Sequence, residues 1–288
     1  NQRKRILVGR SVHPEYRRVL ATYLSGTNYE IVEIPFTSEG ALDREFLKRE
    51  LHTDVGCVAV ACPNFFGLVE DIEDVSDLAH KQGALFVTTG HPMAYAVFRS
   101  PGEFRADIAC GEAQPFGLPL NFGGPYVGYF ANTRSLVRKM PGRLVGMTRD
   151  RMGRRAFVLT LQAREQHIRR EKASSNICTN QALCALAVCV YLAAMGEEGL
   201  REVALVNVER AAELRDAIAR LKGYEVPFQG PVFNEFVVRS RKPAKRLLGK
   251  LLKQGVIAGF DVSQDYTELE NHFLVAGTET KTRADVEN

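Results

Sequence analysis

Seven segments in the first 88 residues alternate between two apolar periods, and that alternation restricts the fold more than any other feature. Residues 5–8, 29–34, 55–61 and 84–88 read as strands, and residues 13–24, 43–51 and 72–80 carry apolar side chains at helical spacing. Val-Gly-Cys-Val-Ala-Val-Ala at 55–61 has no polar alternate positions, so it suits a strand covered on both faces. Such strands separated by helices predict a parallel, doubly wound α/β layer.

The middle of the chain changes character. Residues 111–129 are rich in Gly and Pro, as expected of a shaped loop where backbone approaches another group closely. A strand is expected at 126–131, with Gly128 as a weak point inside it. Residues 180–195 are apolar almost all round and predict a buried helix, and 197–221 continue as a long amphipathic helix. A strand at 233–239, a helix at 244–254 and a strand at 272–276 then predict a smaller α+β unit. The expected division is a large α/β domain over 1–195 and a small domain over 196–288. The chain starts almost on a strand and stops just past Thr282-x-x-Asp285, a helix cap, as a piece of a longer protein would.

Composition narrows the classes of function. A net charge of +4 does not by itself call for nucleic acid. No run of apolar residues reaches the roughly 18 to 20 of a membrane span, and no signal-peptide core follows the first residues, so a cytoplasmic protein is expected. Six cysteines (Cys57, Cys62, Cys110, Cys178, Cys184, Cys189) form no Cys-x-x-Cys pair and no zinc-like spacing with histidine. Buried, reduced thiols are the expected reading.

The sharpest polar feature is residues 164–181, Arg-Glu-Gln-His-Ile-Arg-Arg-Glu-Lys-Ala-Ser-Ser-Asn-Ile-Cys-Thr-Asn-Gln, placed just ahead of the apolar helix. Free backbone N–H groups at a helix start favour anions. Ser175, Asn176 and Thr179 could line such a site, with Arg169, Arg170 and Lys172 adding charge-assisted bonds. An ordinary capped helix preceded by solvated charges is the alternative. Residues 133–172 hold twelve Lys/Arg against three acids, which suits an anionic cofactor or an acidic partner chain better than nucleic acid, since no RNA- or DNA-reading motif accompanies them. His91 follows the strand at 84–88, where open α/β sheets place ligands, and it is a ring-contact candidate or a plain loop histidine. His13, His52, His80 and His272 read as surface residues of helices and strands, and no metal cluster is expected.

Several segments together resemble subunit 1 of glycine dehydrogenase (decarboxylating), the α-type chain of the glycine cleavage system P-protein. They are Ser-Val-His-Pro-Glu-Tyr at 11–16, Pro-Asn-Phe-Phe-Gly at 63–67, the Gly/Pro stretch at 111–129, the long segment 140–183, and Asn-Glu-Phe-Val at 234–237. The resemblance implies an aspartate-aminotransferase-like, fold type I pyridoxal-phosphate transferase fold with a smaller C-terminal α+β domain. It also implies further chain before residue 1 and a final helix after Asn288. The implied activity is decarboxylation of glycine with transfer of its aminomethyl group to the lipoyl arm of H-protein.

That chemistry needs a lysine holding pyridoxal phosphate as a Schiff base. In the lysine-bearing partner, subunit 2, the lysine precedes a Gly-Gly-Pro segment. Counting back from Gly123-Gly124-Pro125, the matching position here is Gln114, and residues 114–124 hold no lysine. The resemblance therefore implies that this chain carries no catalytic lysine, is inactive alone, and shapes the cofactor site across an interface through residues 164–181. Two positions depart from the family pattern: His91 stands where an acid or amide is expected near the ring nitrogen, and Thr280-Lys281 stands where Lys-Arg is expected. Two other readings remain open. The chain could be a non-catalytic scaffold or regulator of the same fold, or an independent enzyme using Lys139 or Lys172.

Overall fold

The computed structural model describes residues 3–140, 144–161, 166–173 and 181–287. Its first layer runs β1 (Arg5–Gly9), α1 (Pro14–Leu24), β2 (Glu30–Ile34), α2 (Arg44–Glu50), β3 (Val55–Ala61), α3 (Glu73–Lys81), β4 (Leu85–Thr89), β5 (Ile108–Glu112) and β6 (Gly128–Asn132). These strands form one sheet in the order β2-β1-β3-β4-β5-β6. All neighbours are parallel except β5 and β6, which pair antiparallel.

Local chemistry sets the helix starts. The Asp43 carboxylate accepts from the N–H of Phe46 at 2.9 Å, capping α2. Pro14 opens α1, where its missing N–H costs nothing. Leu7, Leu47, Val55, Val58, Ile72, Val75 and Phe86 are fully buried between the sheet and its helices. Each such side chain contributes roughly 1.5–3 kcal/mol through removal from water.

A two-stranded ribbon, β7 (Leu144–Arg149) and β8 (Arg155–Thr160), projects from the middle of the chain, followed by the short α4 (Gln166–Arg169). This hairpin is not legible in the sequence, because Gly146 interrupts its first strand and an arginine stands at the turn end of each. The long helix α5 (Ala182–Ala219) comes next, and Gly196 breaks its regularity with φ 63° and ψ −174°. Then come β9 (Tyr224–Glu225), β10 (Glu235–Ser240), α6 (Ala244–Leu252), β11 (Phe260–Asp261), β12 (His272–Ala276) and α7 (Arg283–Glu287). The four strands form an antiparallel sheet in the order β11-β12-β10-β9. Thr282 and Asp285 exchange hydrogen bonds at the start of α7, as their spacing predicts.

Two expectations about α5 are corrected. Its first half was predicted to be buried, yet Leu183 is 79% exposed, and Leu186 and Val190 are each 60% exposed. Nothing else in the described chain packs on that face. The expectation that no stretch is apolar enough for a membrane also fails by length and composition alone, since α5 holds a window with mean hydropathy 1.6. The break at Gly196 leaves a regular run before it of only about 21 Å at 1.5 Å per residue, short of a hydrocarbon core of about 30 Å.

Cys62 and Cys184 are buried, as expected, and Cys57 and Cys110 are half-buried. Burial pushes Cys57 up to about 11 and Cys62 up to about 12, which keeps both protonated and unreactive. Cys189 is exposed, a correction, because it lies on the uncovered side of α5. Cys178 lies outside the described residues.

The two sheets are joined through the loop after β3. Leu68 forms a lone antiparallel bridge with Val232, and the N–H of Val69 donates to the carbonyl of Pro231 at 2.9 Å. Tyr266, fully buried, donates its hydroxyl to the carbonyl of Arg10 at 2.9 Å and so ties the second sheet to the end of β1.

Candidate functional site

The sheet order changes direction between β1 and β3. At such a switch point, the loops leaving the carboxyl ends of adjacent strands turn opposite ways and leave a crevice. A cavity of about 270 Å³ lies there, lined by His13 beyond β1, by Ala61 at the end of β3 with Asn64 beyond it, by Thr89 at the end of β4 with His91 beyond it, and by Glu112 at the end of β5 with Gln114 beyond it. Asn234 and Glu235 close it from the second sheet. Four of the sequence segments singled out above therefore converge on one cavity, although they lie up to about two hundred residues apart.

Close backbone packing makes the walls. Gly67 has φ +87°, and a Cβ there would sit 1.9 Å from the carbonyl oxygen of Glu235. Only glycine permits that approach, which is what brings Glu235 to the cavity. The Asn64 side chain fixes the same loop: its carbonyl oxygen accepts from the N–H groups of Phe66 and Leu68, and its amide donates to Gly40 and Glu70. Gly90 is as tight, with a Cβ position 2.2 Å from the carbonyl of Cys62.

Gln114 lines the cavity, but its side-chain amide is committed locally, donating to the carbonyl of Leu118 at 2.6 Å. Its backbone N–H donates to the Glu112 carboxylate at 3.1 Å. His91 packs its ring 5.0 Å from that of Phe233, and its buried Nδ1 has no hydrogen-bond partner. Burial pushes the imidazole down to about 4, so it is neutral at pH 7. Burial pushes the Glu235 carboxyl up to about 7, with no cation among the described residues to hold it down. Burial, and then the charge of Glu112, push the Tyr16 phenol up as well. No Lys or Arg is among the described residues that line the cavity.

Arg169, Arg170 and Lys172 are elsewhere. They lie exposed on α4 and the single 3-10 turn after it, and none lines the cavity. Ser175, Asn176 and Thr179 lie outside the described residues, so the anion site expected before α5 has no structural counterpart to describe. Among the described residues, no three His, Cys, Asp or Glu side chains converge to hold a metal.

Sequence reasoning missed Glu235, Glu112, Tyr16 and His13 as cavity residues. His13 was expected on a helix surface. It instead precedes α1, where its Nδ1 accepts from the N–H of Glu15 at 3.2 Å and its ring stands at the cavity mouth. His272 was also expected at a surface, but it is 9% exposed because β12 runs through the interior of the second sheet. Asn64 and Glu235 do fall within the quoted motifs, and a polar side chain set against apolar neighbours is the available signal at each.

Relatives and solved structures agree with this architecture. A relative from Geobacillus sp. (strain WCH70), described as "Probable glycine dehydrogenase (decarboxylating) subunit 1", is 50% identical over 99% of this chain and 63% of its own length. One of the same description from Desulfitobacterium hafniense (strain DSM 10664 / DCB-2) is 48% identical over 99% of this chain and 64% of its own. The chain thus spans just under two thirds of the length of these relatives. A crystal structure of glycine decarboxylase (P-protein) of the glycine cleavage system, in inhibitor-bound form, superposes with a TM-score of 0.92 at 42% identity, covering 99% of this chain and 64% of that one. The cysteine desulfurase CsdA from Escherichia coli, at 13% identity, shares the fold alone, with a TM-score of 0.73 over 99% of this chain and 69% of its own. The fold is accordingly aspartate-aminotransferase-like, as the family resemblance implies and in agreement with the strand–helix alternation. The model of the family described as "Glycine cleavage system P-protein" matches residues 1–288, and this chain belongs to that family.

Proposed function

We propose that this chain is part of the non-lysine component of a heteromeric glycine-decarboxylating enzyme and depends on a lysine-bearing partner subunit for activity. The observation that carries this reading is Gln114. It occupies the cavity at the position where the lysine is expected, and its amide is tied to Leu118. The cavity also suits pyridoxal phosphate poorly, because Glu112 and Glu235 face the space and no Lys or Arg among the described residues lines it to meet a phosphate. No step of the reaction is therefore assigned to this cavity, and the cofactor belongs on the partner.

The surface supports assembly. Val145, Met147 and Phe157 are 63%, 72% and 66% exposed on one face of the β7–β8 ribbon, a pairing too small to be stable uncovered. Leu183, Leu186 and Val190 recur at helical spacing on α5. Arginines flank this apolar surface, and Arg169, Arg170 and Lys172 lie exposed beside it in sequence. A partner chain that covers the apolar face would receive those charges at its rim, where they could meet an anionic cofactor. Ser175, Asn176 and Thr179 belong to the same proposed contribution. Glycine as substrate, lipoyl H-protein as acceptor and a cytoplasmic location complete the reading, with the two-domain division set at Gly196.

Mixing the full-length chain with the partner, pyridoxal phosphate and H-protein tests it. Glycine decarboxylation is expected to require both chains, and borohydride is expected to fix the cofactor on the partner alone. Cofactor fixed on this chain, or full activity of the partner without it, refutes the proposal.

A further inference from the structure

The charge of the cavity is reversed from what an anionic ligand needs. Glu235 and Glu112 are its acids, with no Lys or Arg among the described lining residues. Among those residues the Glu235 carboxyl has no hydrogen-bond or ion-pair partner. A desolvated carboxyl without a partner is costly, and a cation that enters the cavity removes the cost.

Rings stand beside the acids. The His13 ring lies 5.2 Å from that of Tyr16 and 5.0 Å, edge-on, from that of Phe65. All three line the cavity. A carboxylate beside aromatic rings, with no competing protein cation, is the chemistry that recognises organic ammonium ions. His91 adds no competing charge. Its Nδ1 is buried without a partner, and burial pushes the imidazole down to about 4, so it stays neutral.

We propose that this cavity binds a small alkylammonium cation, with its N–H groups on the Glu235 carboxylate and its methyl groups against Tyr16 and Phe65. The volume of about 270 Å³ holds a small organic cation with room for accompanying water. A phosphate-bearing molecule is opposed by both carboxylates. The binding needs no turnover, so it stands or falls independently of the glycine reaction.

The test uses the full-length chain assembled with its partner and dimethylammonium chloride as probe. A secondary amine cannot form a neutral imine with a cofactor on the partner. Saturation-transfer NMR and isothermal titration at pH 8 are expected to show one saturable site per copy of this chain. Affinity is expected to fall about tenfold per pH unit below 7 as Glu235 takes up a proton. Glu235→Gln is expected to weaken binding at least tenfold, whereas Glu235→Asp, which keeps the charge, retains part of it. The pH series needs only the unsubstituted chain, so it reads the same property even if Glu235→Gln folds poorly. No saturable binding, or binding independent of both pH and Glu235, overturns the proposal. Binding lost only when the partner's lysine is replaced overturns it as well.

Discussion

The side-chain amide of Gln114 donates to the carbonyl of Leu118 at 2.6 Å and closes the turn after β5 on itself. On the proposed reading, that bond takes the side chain at the position counted for the lysine and commits it to the loop.

Restoring the lysine should not restore the chemistry. In Gln114→Lys the new ammonium faces Glu112 and Glu235, and it is expected to stay charged beside them. Borohydride treatment with pyridoxal phosphate is expected to leave this chain unlabelled above background by mass spectrometry. Stoichiometric labelling would show that the acids do not control the site.

Gly67 should tolerate nothing larger. The Cβ of an alanine would lie 1.9 Å from the Glu235 carbonyl oxygen, at φ +87°. Gly67→Ala is expected to lose about 3 kcal/mol, combining left-handed strain with overpacking, or roughly 10 °C in Tm. A thermal melt checks it, and an unchanged Tm would mean that the two sheets separate freely at this contact.

Stability should respond to pH through Glu235. Its carboxyl is pushed from an ordinary 4.5 up to about 7, so the unfolded chain gives up the proton first. Stability on this account is full below about 4.5, falls as pH rises to 7, and is level above that. Glu235→Gln removes the dependence, so the variant is expected to gain on the unsubstituted chain across that window, by at most about 3 kcal/mol. Chemical denaturation at pH 5 and pH 8 measures the difference. An equal difference at both values would remove Glu235 as the cause.

One of the ties between the sheets is a single hydroxyl. Tyr266 donates to the Arg10 carbonyl at 2.9 Å and accepts from the Arg17 guanidinium at 3.3 Å. Tyr266→Phe keeps the packing and strands both partners, for an expected loss of about 1–2 kcal/mol in a denaturant midpoint.

Assembly should be separable from folding. Leu186→Asp or Met147→Asp places a charge on surface that is already exposed in this chain, so its own Tm is expected to stay within about 1–2 °C. Co-purification with the lysine-bearing partner is expected to fail. Retained association would move the interface to another face.

The sequence carried the first layer well. Residues 55–61 are the predicted strand without change, and the helices over 13–24, 43–51 and 72–80 shift by about a residue at each end. Hydrophobic period alone specifies these elements, because each buries a face against its neighbours. The β7–β8 ribbon and β5 escaped notice for the opposite reason. Their residues carry little apolar period, and pairing across the sheet is what makes them strands.

The candidate site divides the same way. Gln114 in place of lysine, the basic excess over 133–172 and the motifs at 11–16, 63–67 and 234–237 are all properties of order along the chain. That the three motifs share one cavity is not. It depends on the direction change between β1 and β3 and on Gly67 lying against Glu235, contacts between residues far apart in sequence. Burial, and with it the neutral His91 and the raised Glu235, exists only once those contacts exclude water. Composition and spacing fix which groups are present, and tertiary packing decides which of them meet and which are charged when they do.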